Sequence, residues 1–502
     1  MPRMSAVGIS EIHAGDDVKT VAVLDIGTSN IRATAVDSNG SITAEFRTKL
    51  TSMSPTRGFV EFDAEELFQD SLTLLKRLLS EKKCSAMAIT NQRASAIVFD
   101  PETREPVCMG QSWQDLRTAP MCLALKGSGI SLSPNQSASK IALMMDLFDK
   151  DRKRGLAGGT IDGWLAFRLT GKFATDHTNA AMTGLVQPDA MSYDEAVLSR
   201  LKISTENLAE IRPSIGNFGE ANIDGALIPL VAILGDQQAS MLGQGITRPG
   251  RAKATFGTGA MVDIVTGDQG PSTTQRLPNG TFPIVARSQN ESILFGLEAI
   301  GLHAGSAVQF ACDGLGIADD PSRLEEFAAG ARAGSAELFV PALTGLATPY
   351  WDFGALACFV NLSKATTRAD LAKAVLAGVS HVGADLVEAI EADGQTVLDT
   401  LSVDGGMTRN HLFLQLLSNL SQKRLKVSSV NEATSVGAGF AALLSLGYIS
   451  EISDVDRLVT TRLTVEPDLS FGKVELARTR DNWRKAVEIS RNSVPELSSV
   501  TF

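Results

Sequence analysis

Three aspartates, each close to glycine at the end of an apolar run, carry the most chemistry in this sequence. Asp25 lies in Val21-Ala-Val-Leu-Asp-Ile-Gly-Thr-Ser-Asn30, Asp236 in Leu230-Val-Ala-Ile-Leu-Gly-Asp-Gln-Gln238 and Asp404 in Leu401-Ser-Val-Asp-Gly-Gly-Met-Thr408. Each run predicts a buried strand that delivers a carboxylate to its tip. Glycine in the turn that follows lets backbone approach a ligand closely. Carboxylates so placed can hold Mg2+ and the phosphates of ATP without a Walker loop. None is present: Gly243-Gln-Gly245 lacks the Lys and Ser/Thr that such a loop needs.

The elements that must position these carboxylates are those of an α/β protein, because strand-like runs alternate with helical patterns throughout. Thr20–Asp25, Ile31–Val36 and Ile42–Phe46 read as consecutive strands, with Asp37-Ser-Asn-Gly40 as a turn. Ala64–Leu79 has helical spacing and an Asp63 cap. Ser85–Thr90 reads as a further buried strand. The pattern restarts with strand Ala252–Phe256, turn Gly257-Thr-Gly259 and strand Met261–Val265. We therefore expect a tail over 1–18, one domain over 19–245, a second over 246–480 and a C-terminal helix and tail over 481–502. Two halves of one plan imply a ligand in the cleft between them. The apolar run Ser435–Tyr448 reads as a helix packed inside the protein.

Composition narrows the classes. A chain of 502 residues can bury two or more full cores. Net charge is −11, which argues against a broad nucleic-acid-binding face. The five cysteines are scattered with no C-x-x-C pair, which predicts reduced thiols in a cytoplasmic protein and no Cys-ligated zinc. No run approaches the ~20 apolar residues of a membrane span, and Met1–Asp17 lacks a signal-peptide core.

Further segments fall in a telling order. They are Ile89-Thr-Asn-Gln-Arg93, Trp113-Gln-Asp-Leu-Arg117, Gly159-Thr-Ile-Asp-Gly-Trp164, Thr178-Asn-Ala180, Gly235-Asp-Gln-Gln238, Phe256-Gly-Thr-Gly259, Phe339-Val-Pro-Ala342, Pro349-Tyr-Trp-Asp352 and Asp404-Gly-Gly-Met-Thr-Arg-Asn410. Each alone is weak. In this order, from about 20 to 450, the sequence resembles the FGGY family of carbohydrate kinases, and most closely its glycerol kinases. The resemblance implies two actin-like, ribonuclease-H-like domains closing on ATP and a polyol or sugar. It further implies a homodimer or homotetramer.

By the same resemblance, Asp236 is the general base for the acceptor hydroxyl, and the plain reading beside it is a cap on a helix Gln237–Leu242. Asp25 and Asp236 would face Mg2+. Thr28, Ser29, Asn30 and Arg32 would meet the phosphates from one side, and Gly257, Thr258 and Gly259 from the other. Gly305 and Gln309 match positions touching the nucleotide, and Gly406 and Asn410 match those near adenosine. A helix from Arg409 can present its N-terminus there. Arg93, Trp113 and Gln237 match substrate positions, with Trp113 an apolar wall against the carbon chain; Asp115 reads as structural. The family's glutamate is Ala94 here, its tyrosine Asn135 and its phenylalanine Met261. Within a glycerol-kinase-like range of acceptors (glycerol, a tetritol or a ketopentose), these exchanges predict a roomier pocket of different polarity and a polyol or ketose of four or five carbons, other than glycerol, as the substrate. His177 is expected to be an ordinary surface or turn residue. The other reading is a non-catalytic nucleotide sensor or partner-binding protein on the same fold.

Overall fold

The computed structural model describes residues 19–430, 432–468 and 470–500. The expected tail over 1–18 lies outside them. The first half is organised on a six-stranded sheet. Its spatial order is Glu220–Ile223, Ala226–Gly235, Met87–Asn91, Thr20–Ile26, Asn30–Asp37 and Ile42–Lys49. Thr20–Ile26, Asn30–Asp37 and Ile42–Lys49 pair antiparallel, whereas Met87–Asn91 and Ala226–Gly235 join in parallel. The turn after Asp37 forms because its Oδ1 accepts from Asn39 and Ser41 N–H, both at 2.9 Å, and Gly40 takes φ +79°. Helix Ala64–Glu81 starts where expected: Asp63 Oδ1 accepts from Glu65 N–H at 2.8 Å and Glu66 N–H at 3.0 Å. Leu67, Leu74, Leu75 and Leu78 then bury one helical stripe against the sheet.

The second half repeats the plan. Strands Ala252–Phe256, Ala260–Gly267 and Ser292–Gly301 pair antiparallel, and Thr400–Asp404 and Arg424–Ser428 follow in parallel. Phe282–Gln289 and Thr461–Val465 form the edges of this seven-stranded sheet. Side chains alternate across it. Ala252, Ala254, Phe256, Val262, Ile264, Leu297 and Ala299 enter the domain core. Lys253, Thr255, Met261, Asp263, Glu298 and Ile300 share the opposite face by register. That face looks into the cleft.

Helix Ala433–Ser445 crosses back. Its Val436, Phe440 and Leu443 pack with Val21, Val23 and Ala88 of the first sheet. It also lies against helix Asp236–Gly243, where Gly243 and Gly437 leave no room for a Cβ. The C-terminal helix spans Lys473–Ser490, so it begins ahead of the expected 481, and it buries Trp483 in the second core. No helix among the described residues is long and apolar enough to cross a membrane.

Candidate active site

The two principal carboxylates stand at the same end of the first sheet. Ile26 and Gly235 both pair with Asn91, so Asp25 and Asp236 emerge from strands that flank Met87–Asn91. Asp25 is buried, and its Oδ2 accepts from Ser435 Oγ at 2.7 Å. Arg32 Nη1 lies 3.7 Å from the same oxygen and also pairs with Glu432. Burial pushes the Asp25 carboxyl up to about 6, with Ser435 and Arg32 pulling it down. Arg32 therefore reaches the site already neutralised in part by two carboxylates.

Asp236 is the first residue of helix Asp236–Gly243, not a cap before Gln237. Gly235 holds the N-cap position, and Asp236 Oδ1 accepts from the Gln237 N–H at 2.8 Å. Burial raises its pKa, and the Arg93 guanidinium, with Nε 3.4 Å from Oδ1, opposes that rise. Arg93 Nη2 donates to Glu298 Oε2 at 2.7 Å, across the cleft, while Nη1 is buried without a partner. Gln237 Oε1 accepts from Lys253 Nζ at 2.6 Å, and that ammonium sits 2.7 Å from Asp263 Oδ2. Lys253, Asp263, Glu298, Glu432 and Ser435 were not legible as site residues in the sequence. For Lys253, Asp263 and Glu298 the one signal is a charged residue inside an otherwise apolar strand, at the parity of the cleft face.

The remaining expected residues divide. Trp113 is half-buried; its indole N–H donates to Thr28 Oγ1 at 3.2 Å, and its carbonyl accepts from Asn135 Nδ2 at 2.9 Å. Trp113 is thus tied by its polar edge to the loop that carries Thr28, as well as offering an apolar face. Asp115 is fully buried and holds Val60 N–H and Arg117, as a structural residue does. Ser29 is exposed, and Asn30 opens the second strand. Ala94 is buried at φ +63°, and Met261 is half-buried on the cleft face.

The Gly257-Thr258-Gly259 turn is braced from behind. Its Thr258 carbonyl accepts from Ala304 N–H at 2.9 Å, and its Gly257 carbonyl from Gly305 N–H at 2.8 Å. A Cβ at Gly305 would lie 2.6 Å from Gly257 O, so this glycine permits the bracing contact. At Gly257 and Gly406 a Cβ would meet nothing within 4 Å, so both positions border open space. Gln309 is exposed on helix Gly305–Asp313 and bonds Asp313.

Two expectations fail. The helix after Arg409 starts at His411, and Glu325 accepts from His411 and Leu412 N–H, both at 3.0 Å, while Asn410 caps Phe413 N–H. A carboxylate already occupies that N-terminus, so it is not offered to an anion. His177 is buried, not on the surface: its Nδ1 meets Ser288 Oγ at 2.9 Å, where the two halves join.

For a divalent cation, the site offers oxygen donors only. Among the described residues no cluster of three or more His, Cys, Asp or Glu is gathered. One or two carboxylates with substrate phosphates suit Mg2+, which keeps much of its water. Asp25 and Asp236 fit that requirement.

Models of the N- and C-terminal domains of the FGGY carbohydrate kinases match residues 20–243 and 252–446. The chain belongs to the FGGY family of carbohydrate kinases. The kinase is 34% identical over 494 residues to the glycerol kinase of Trichlorobacter lovleyi, covering 94% of this chain and 98% of that one. It is 33% identical to that of Rhodopirellula baltica, covering 96% and 93%. The glycerol kinase of Plasmodium falciparum, solved with ADP, superposes with a TM-score of 0.88 at 25% identity, over 94% and 98% of the two chains. The xylulose kinase of Lactobacillus acidophilus shares the fold at a TM-score of 0.84, over 96% and 99%, with 20% identity. The two-domain α/β fold and an ATP-using phosphotransferase activity follow from this membership.

Proposed function

We propose that this kinase transfers the γ-phosphoryl group of ATP to a hydroxyl of glycerol or a closely related polyol. The observation that carries the reading is Asp236, at the head of its helix and 3.4 Å from the buried Arg93, with Asp25 on a neighbouring strand tip. Asp236 accepts the hydroxyl proton as the acceptor oxygen bonds to phosphorus and the bond to the leaving ADP oxygen breaks. General-base assistance of this kind is worth ~10²–10⁴-fold. Arg93 keeps Asp236 ionised and offers Nη1 to an acceptor oxygen. Thr28, Ser29 and Asn30 meet the phosphates from the first domain. Gly257, Thr258 and Gly259 meet them from the second, and Gly406 and Asn410 lie toward adenosine. Asp25 and Asp236 would hold Mg2+, which would neutralise charge on the transferring phosphates. Ala94 and Met261 shape a pocket that admits acceptors somewhat larger than glycerol. The non-catalytic sensor reading draws no support from a site that keeps both carboxylates and Arg93.

The test is ADP release with Mg-ATP against glycerol, erythritol, threitol, xylulose, ribulose, xylitol and no acceptor. One acceptor should stimulate turnover, and Asp236→Ala should abolish the stimulation. Equal turnover with and without every acceptor would overturn the reading.

A further inference from the structure

Glu298 and Arg93 come from different halves of the chain yet meet in one buried contact. Glu298 lies on strand Ser292–Gly301 of the second sheet, Arg93 just after strand Met87–Asn91 of the first. Their side chains are 1% and 8% exposed, so neither charge is screened by solvent. Pairing Asp263 with Glu298 and Met261 with Ile300 places Glu298 on the cleft face beside Met261. Its Oε2 takes Arg93 Nη2 at 2.7 Å, and its Oε1 is buried without a donor. Behind it, Asp263 is balanced by Lys253 at 2.7 Å. Burial raises the Glu298 carboxyl to about 7, and Arg93 is the strongest influence pulling it down.

The guanidinium is therefore held at two of its three corners. Nε faces Asp236, Nη2 is fixed by Glu298, and Nη1 alone has no partner. A buried donor without a partner costs ~1–3 kcal/mol, which a hydroxyl oxygen would relieve. The planar fork cannot turn Nη1 toward another partner while its other two corners are held.

We propose that Glu298 is a positioning residue of the acceptor site, supplied by the second domain, that fixes Arg93 beside Asp236 and leaves Nη1 for an acceptor hydroxyl. The inference rests on the kinase reading above. Because Glu298 acts through Arg93 and not on the nucleotide, its loss should weaken acceptor binding and spare ATP. The two buried charges would otherwise be a poor source of stability, since desolvation offsets most of their attraction. A role in setting the acceptor geometry accounts for placing them there.

Steady-state kinetics of Glu298→Gln, with the best acceptor of the panel, test this. The acceptor KM should rise about ten-fold or more while the Mg-ATP KM stays within about two-fold. Arg93→Lys combined with Glu298→Gln should be no worse than Arg93→Lys alone, because both changes break one arrangement. If Glu298→Gln does not fold, Glu298→Asp, which keeps the charge but draws it back by one methylene, should give the same split at smaller size. An unchanged acceptor KM, or equal rises in both KM values, overturns the proposal. If wild-type protein phosphorylates no acceptor, the kinase reading fails first and this inference falls with it.

Discussion

The indole N–H of Trp113 donates to Thr28 Oγ1 at 3.2 Å, so the segment proposed to face the acceptor is bonded to the loop proposed to meet the phosphates. Trp113 is in turn held by Asn135, whose amide donates to its carbonyl. The proposed acceptor wall and the proposed phosphate loop are thereby one unit. Thr28→Val removes the acceptor oxygen at nearly constant shape. In kcat/KM, a cycle with Trp113→Phe should show coupling of about 1 kcal/mol. Strictly additive effects would show that the two segments work independently.

The base should show itself in the acid limb of the pH profile. Burial raises the Asp236 pKa and Arg93 is the chief influence lowering it. The ionised form is the one that accepts a proton, so kcat/KM falls as pH drops through that pKa. We expect a midpoint above the ordinary aspartate value of about 3.9. Arg93→Gln removes the lowering charge and should move the limb to higher pH as well as reduce the rate. A limb that stays in place in Arg93→Gln would separate Asp236 from Arg93 electrostatically.

Much of this arrangement is legible in the sequence, and the reasons differ by element. Strand Ala252–Phe256 is legible because its alternating run is closed by Gly257. The Asp63 cap announced helix Ala64–Glu81 through ordinary capping chemistry. Asp25, Asp236 and Arg93 lie beside turns whose residue types are read locally. Glu298, Lys253 and Asp263 were missed because only strand register brings them to the cleft. Ser435 was missed because it meets Asp25 from the far end of the chain. His177 was misread because its hydrogen-bond partner, Ser288, comes from the opposite half and not from its neighbours in sequence.

Asp25 should limit stability in the ligand-free protein. Its carboxyl is pushed up to about 6 from 3.8, chiefly by burial. A carboxyl whose folded pKa is raised destabilises the fold fully above that pKa, and the penalty disappears below the unfolded value. A rise of that size corresponds to ~3 kcal/mol at neutral pH. Asp25→Asn keeps an oxygen for Ser435 and loses the buried charge. Urea unfolding should show the variant more stable by ~1–3 kcal/mol at pH 8 and by less at pH 5. Turnover should collapse in the same variant. A gain of equal size at both pH values, or a loss, would show that Asp25 is not the group concerned.

Helix Ala433–Ser445 sets how Ser435 reaches Asp25, and Gly437 sets where that helix lies. A Cβ at Gly437 would collide with the Ala239 carbonyl and lie 2.6 Å from Gly243 N, both on the helix that Asp236 begins. These are backbone atoms, so no side chain can swing aside. Gly437→Ala must push the two helices apart, and overpacking of this kind costs ~1–3 kcal/mol. The shift would carry Ser435 away from Asp25 and tilt the helix that Asp236 heads. We therefore expect Gly437→Ala to lower kcat by more than its stability loss explains, at temperatures where it is fully folded. Gly472→Ala, at the N-cap of helix Lys473–Ser490 where a Cβ meets nothing within 4 Å, is the control: it should cost a little stability and leave kcat unchanged. Full activity in folded Gly437→Ala would mean that the two carboxylates do not depend on this helix contact.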